Sequence, residues 1–94
     1  MIVKICGIKT LSDALAAIDA GADMLGYNFY PKSKRYISVK ECVEIQNDLV
    51  GRGMDVISVG VFVNASYETI IETLEVCALN LVQLHGDESP AFLE

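Results

Sequence analysis

The sequence is poor in the side chains that hold metals. It has a single histidine, His85, and three cysteines, Cys6, Cys42 and Cys77, far apart and with no C-x-x-C pair. Structural zinc sites are built mostly from Cys and His in paired motifs, which this sequence lacks, so no metal is expected, and no motif implies a cofactor. An odd number of scattered thiols makes no disulfide framework and reads as reduced cysteine, as in a cytoplasmic protein. No apolar run approaches the roughly 20 residues of a membrane helix. The first residues enter a strand-like segment with no basic-then-apolar leader, so no secretory signal is expected. Positive charge is also scarce. Seven Lys and Arg stand against thirteen Asp and Glu, for a net charge of −6, which argues against general nucleic-acid binding.

What the chain has in quantity is apolar side chains, at 52% with a mean hydropathy of +0.39. That is rich for 94 residues, enough for one small domain and a modest core. The excess points to apolar faces meant for a partner or for more chain. The scarce positive charge is concentrated, with Lys32, Lys34 and Arg35 inside four residues. On charge alone, that island is either an ordinary solvated loop or a receptor for an anion.

Periodicity divides the chain regularly. Residues 2–6 (IVKIC) read as a strand. Residues 10–21 read as a helix, with Thr10 as N-cap, Asp13 at N3, a stripe of Leu11, Ala14, Leu15 and Ile18, and Gly21 as its stop. Residues 23–29 (DMLGYNF) are a second strand, followed by the loop YPKSKRYI. Ser38 and Glu41 form a capping box for a helix to about Val50, with Val39, Cys42, Val43, Leu49 and Val50 as its apolar positions. Residues 55–63 (DVISVGVFV) are near-continuously apolar, as in a strand covered on both faces. Ser66 opens a third helix with Ile70, Ile71, Leu74, Cys77 and Ala78 on one side, and residues 81–85 (LVQLH) form a fourth strand. The β-α-β-α-β-α-β order implies a parallel sheet with right-handed crossovers, in one segment over residues 1–94. Ser89 and Pro90 then announce a fourth helix as N-cap and N1, and only about one turn follows them. A single turn does not repay helix nucleation, so a cut helix and a longer design are expected.

Four motifs, VKICGIKT, GADMLGYNFYPKSKRYIS, VGVFVN and VQLHGDE, in that order and spacing, resemble phosphoribosylanthranilate isomerase of tryptophan biosynthesis. The resemblance implies an α/β fold, the TIM (βα)8 barrel, of which this chain matches the first four βα units. It implies an isomerase that converts an aminoaldose phosphate to an aminoketose phosphate by an Amadori rearrangement. Its substrate is a small anionic sugar phosphate carrying an anthranilate carboxylate.

Residue by residue, Cys6 matches the family's general base at a strand end, the catalytic rim of such barrels. Without the resemblance, a lone cysteine there is more often a small buried apolar side chain. Gly7 lets the chain turn and a ligand approach. Arg35 matches the arginine that holds the substrate carboxylate, while Lys32 and Lys34 are weaker candidates that raise the local potential, Lys34 being counted with the substrate-binding residues. His85 resembles a pocket-lining histidine; hydrogen bonding to a neighbouring loop is its competing role. Asn64 reads as a turn residue. The family's general acid, an aspartate on a later strand, and its phosphate loops match nothing in these residues, so the segment alone is expected to be inactive.

Alternation puts Lys4 on the face of Cys6, where it needs an ionic partner from another strand. Cys42 and Cys77 read as core. Two other readings stay open: a stand-alone half-barrel that self-associates through open strand edges, and a flavodoxin-like open sheet binding an anion near KSKR.

Overall fold

The computed structural model describes residues 1–85. The expected fourth helix at Ser89 and Pro90 lies outside the described residues. Strand β1 is Lys4–Cys6, helix α1 Leu11–Asp19, strand β2 Met24–Asn28, helix α2 Val39–Gly51, strand β3 Ile57–Val63, helix α3 Tyr67–Val76 and strand β4 Leu81–His85. All three strand pairings are parallel. The strand order is β1-β2-β3-β4. A flavodoxin-like sheet reverses direction after its first pair, so that alternative is overturned by the simple progression seen here.

Each helix starts where a side chain satisfies its first free amides. Thr10 Oγ1 accepts from Asp13 N at 3.0 Å. Ser38 Oγ accepts from Glu41 N at 3.1 Å while Glu41 Oε1 accepts from Ser38 N at 3.0 Å, the reciprocal box. Ser66 Oγ does the same for Thr69 N at 3.1 Å. Each cap stabilises its helix by about 1 kcal/mol.

Neighbouring helices pack on one another, α1 on α2 and α2 on α3, so all three lie on one face of the sheet. The core forms between them and the strands. Leu25, Tyr27, Ser58 and Phe62 from the strands, with Ala14, Ala17, Cys42, Ile45, Leu49 and Cys77 from the helical segments, are all buried. Tyr27 Oη donates to Gln46 Oε1 (3.1 Å), Gln46 Nε2 donates to Ser58 Oγ (3.0 Å), and Asn80 Oδ1 accepts from Ser58 N (2.9 Å). These buried polar atoms are therefore paired, as burial requires.

The other face of the sheet is concave. Lys4 and Cys6 on β1 share it with their register partners Met24 and Gly26 on β2, and Gln83 on β4 lies on it too. Lys4 Nζ donates a hydrogen bond to Gln83 Oε1. In a flat sheet those strands stand three spacings of about 4.8 Å apart and their side chains run parallel. They meet because the sheet curls with this face inward.

Several sequence expectations need correction. β1 begins at Lys4 rather than residue 2, and Ile2 and Val3 are exposed. β3 begins at Ile57, because Ser58 ties its start to Asn80. Val50 is 75% exposed and Ile45 takes the core position expected of it. Ala78 is exposed, because the chain leaves α3 at Cys77 and Ala78 takes a left-handed φ of 54°.

Candidate active site

Strand β1 ends on Cys6, and the backbone turns immediately at Gly7, whose φ is +80°. That conformation suits glycine because it has no Cβ to clash. Ile8 N then donates to Gly26 O at 3.1 Å and the Ile8 side chain is buried, which anchors the turn to β2. Beside it, a Cβ placed on Gly26 would fall 3.0 Å from Cys6 Sγ. The thiol thus rests over a glycine on the next strand, and its rotamer depends on that missing side chain. A glycine inside a strand, as in DMLGYNF, is the sequence signal for such close approach.

The loop after β2 is built around Asn28 and Ser33. Asn28 Oδ1 accepts from Tyr30 N (2.9 Å), Asn28 Nδ2 donates to Ser33 Oγ (3.2 Å), and Ser33 Oγ accepts from Arg35 N (3.1 Å). Ile37 closes the loop, its amide donating to Asn28 O at 2.9 Å and its side chain wholly buried. Lys9 Nζ donates to Lys34 O at 3.2 Å and ties this loop to the turn after β1.

The result is that Arg35 lies across Gly7. A Cβ on Gly7 would meet Arg35 Cδ at 2.5 Å, Nη1 at 3.1 Å and Nε at 3.2 Å. Cys6, Gly7, Lys9 and Arg35 line one open cavity of about 640 Å³, which runs along β1 beside α1, where Asp13, Ala16, Ala17 and Ala20 also line it. A second cavity of about 250 Å³, lined in part by Gln46, Ser58 and Asn80, lies between α2 and α3 at the other end of the strands. Gln46, Ser58 and Asn80 bond one another there, so they have less to offer a ligand.

The three thiols differ sharply. Cys6 is exposed, against the buried role a lone cysteine more often plays, while Cys42 and Cys77 are buried as expected. Burial pushes the Cys42 and Cys77 thiols above their ordinary value, holding both neutral. Lys34 and Lys32 are exposed, and Lys34 takes part through its carbonyl. His85 ends β4, paired in register with Val63. Asn64 has a left-handed φ of 49°, as a turn residue. The ionic partner expected for Lys4 is not found among the described residues; the amide of Gln83 takes its place. Among the described residues no three His, Cys, Asp or Glu side chains gather to hold a metal ion. No helix among them is long and apolar enough to cross a membrane.

The sequence model for N-(5'phosphoribosyl)anthranilate (PRA) isomerase matches residues 3–94. The chain belongs to the phosphoribosylanthranilate isomerase family. It is 51% identical over 90 residues to N-(5'-phosphoribosyl)anthranilate isomerase of Citrifermentans bemidjiense, covering 96% of this chain and 42% of that protein. It is 50% identical over 88 residues to the Myxococcus xanthus isomerase, covering 94% and 40%. The crystal structure of the Thermotoga maritima isomerase superimposes with a TM-score of 0.89 at 45% identity, covering 99% of this chain and 44% of that one. A phosphoribosylanthranilate isomerase crystallised with reduced 1-(o-carboxyphenylamino)-1-deoxyribulose 5-phosphate superimposes with a TM-score of 0.88 at 45% identity, covering 99% and 47%. The chain therefore spans less than half the length of these relatives.

Proposed function

We propose that these residues are the amino-terminal half of a phosphoribosylanthranilate isomerase barrel, and that they supply its base and its carboxylate clamp. The single observation that carries this reading is Arg35 laid across Gly7 beside the exposed Cys6. The ligand crystallised with a relative bears a carboxyphenyl group and a 5-phosphate. A guanidinium fork matches a carboxylate through two parallel hydrogen bonds. Gly7, with no side chain, leaves room for Arg35 to lie against the backbone, with Lys34 adding positive potential and His85 placed at the end of β4.

In this scheme the sugar ring opens as an acid protonates its ring oxygen. The Cys6 thiolate takes the proton from C2, and the resulting enol form returns a proton to carbon to give the ketose. The step is an isomerisation, so no oxidant or reductant enters. The acid and the phosphate-binding loops belong to the remainder of the barrel, where such loops follow strands seven and eight. General acid catalysis alone contributes roughly 10²–10⁴-fold. The 94 residues by themselves would then be inactive or nearly so.

An isomerase assay on the whole polypeptide, set beside the same assay on residues 1–94, tests the reading. Turnover by the whole chain and none by the segment supports it; no turnover by the whole chain removes it.

A second reading has an observation of its own. Among the described residues β1 and β4 each have a strand neighbour on one side only, and Met1, Ile2, Val3 and Leu81 beside those edges are exposed. Open apolar edges of this kind pair with another chain. The solution mass of the isolated segment separates a self-associated half-barrel from a monomer.

A further inference from the structure

The reaction scheme leaves unused a hydrogen bond that crosses the concave face, from Lys4 Nζ to Gln83 Oε1. Lys4 lies two residues before Cys6 on β1, and Gln83 two residues before His85 on β4. Two residues rise about 6.6 Å along a parallel strand. The bond therefore sits one step below the rim and joins the two strands whose ends carry Cys6 and the His85 position. β1 is three residues long and pairs with β2 alone among the described strands, through Lys4, Ile5 and Cys6 and through flanking backbone hydrogen bonds at Val3 and Ile8.

The chemistry of the pair suits a tie rather than a charge sink. A half-buried ammonium needs an acceptor. An amide oxygen accepts without neutralising it, and the hydrogen bond has a preferred length and direction that two apolar side chains in contact would lack.

We propose that Lys4 and Gln83 are positioning residues whose hydrogen bond is a strut across the concave face, fixing the distance between the rim ends of β1 and β4. The catalytic consequence rests on the isomerase reading; the geometric one does not.

The test is made in the whole polypeptide, with Lys4→Met, Gln83→Leu and the exchanged pair Lys4→Gln with Gln83→Lys. Two readouts are taken. Spin labels on Cys6, the exposed thiol of the three, and on a His85→Cys variant report the rim distance. Isomerase kinetics are measured without labels. The strut predicts that each single variant broadens the distance distribution and lowers kcat more than it changes KM, by roughly tenfold to a hundredfold for a misplaced base. It also predicts that the exchanged pair narrows the distribution again and restores most of the turnover. A merely structural role would lower the melting temperature without that recovery. If a single variant does not fold, Gln83→Glu, which keeps an acceptor, must retain the narrow distribution. An unchanged distance in the single variants, or an exchanged pair that folds and stays broad, overturns the proposal. A parent protein without turnover would instead remove the isomerase reading, and the label distances would still decide the strut.

Discussion

Arg35 is packed so closely over Gly7 that no side chain fits between them: a Cβ at residue 7 would lie 2.5 Å from Arg35 Cδ. Gly7 also holds a φ of +80°. Gly7→Ala therefore pushes the arginine out of place and strains the backbone, the latter by about 1–2 kcal/mol. The expected outcome is a raised KM with a modest drop in melting temperature. Kinetics and thermal unfolding monitored by circular dichroism check both halves.

Arg35→Lys keeps the charge and loses the fork. A hydrogen bond to a charged group contributes about 1.5–3 kcal/mol, so KM should rise roughly tenfold to a hundredfold. The side chain is exposed, so urea unfolding should be unchanged. A stability loss with normal KM would mean that Arg35 is a structural loop residue.

Asn80→Ala tests the polar network behind the sheet. Asn80 Oδ1 accepts from Ser58 N at 2.9 Å and from Ser58 Oγ at 3.1 Å. Ser58 is 1% exposed, so its amide loses its acceptor without gaining water. The expected destabilisation is about 1–3 kcal/mol, read from the urea midpoint at unchanged m-value.

Burial also sets a pH dependence. The Cys42 thiol is pushed up from its ordinary value of 9.0, chiefly by burial, with smaller contributions from Cys77. The folded state thus holds this proton more tightly than the unfolded chain does. The stability it contributes is complete below a pH of about 9 and falls as pH rises above it. Urea midpoints should decline on going from neutral to strongly alkaline solution. Cys42→Ala should start lower, because it leaves a cavity, and decline less steeply. Equal slopes would contradict the assignment.

The sequence foretold local features better than tertiary ones. The Thr10–Asp13 and Ser38–Glu41 caps were legible because both partners lie within one helical turn. Strand positions and the parallel order followed from the alternation of segments. Val50, expected on the apolar stripe, is exposed, and Ile45, which the stripe did not include, is buried, because the α2 face that meets the sheet is chosen by packing against Leu25, Tyr27 and their neighbours, not by the helix alone. Gln83 as the partner of Lys4 could not be read, since it depends on how far the sheet curls. Cys6, Gly7 and Arg35 stand out in the sequence through the family resemblance, whereas the layering of the arginine on the glycine and of the thiol on Gly26 does not. Both depend on an absent side chain in a neighbouring segment.

The account turns on Cys6. The most direct measurement is kcat of the whole polypeptide with and without Cys6→Ala. The thiol is exposed, so the variant should melt with the parent protein. Loss of the base should lower kcat roughly 10²–10⁴-fold with KM little changed. A folded Cys6→Ala protein that turns over substrate at the parent rate would contradict the account.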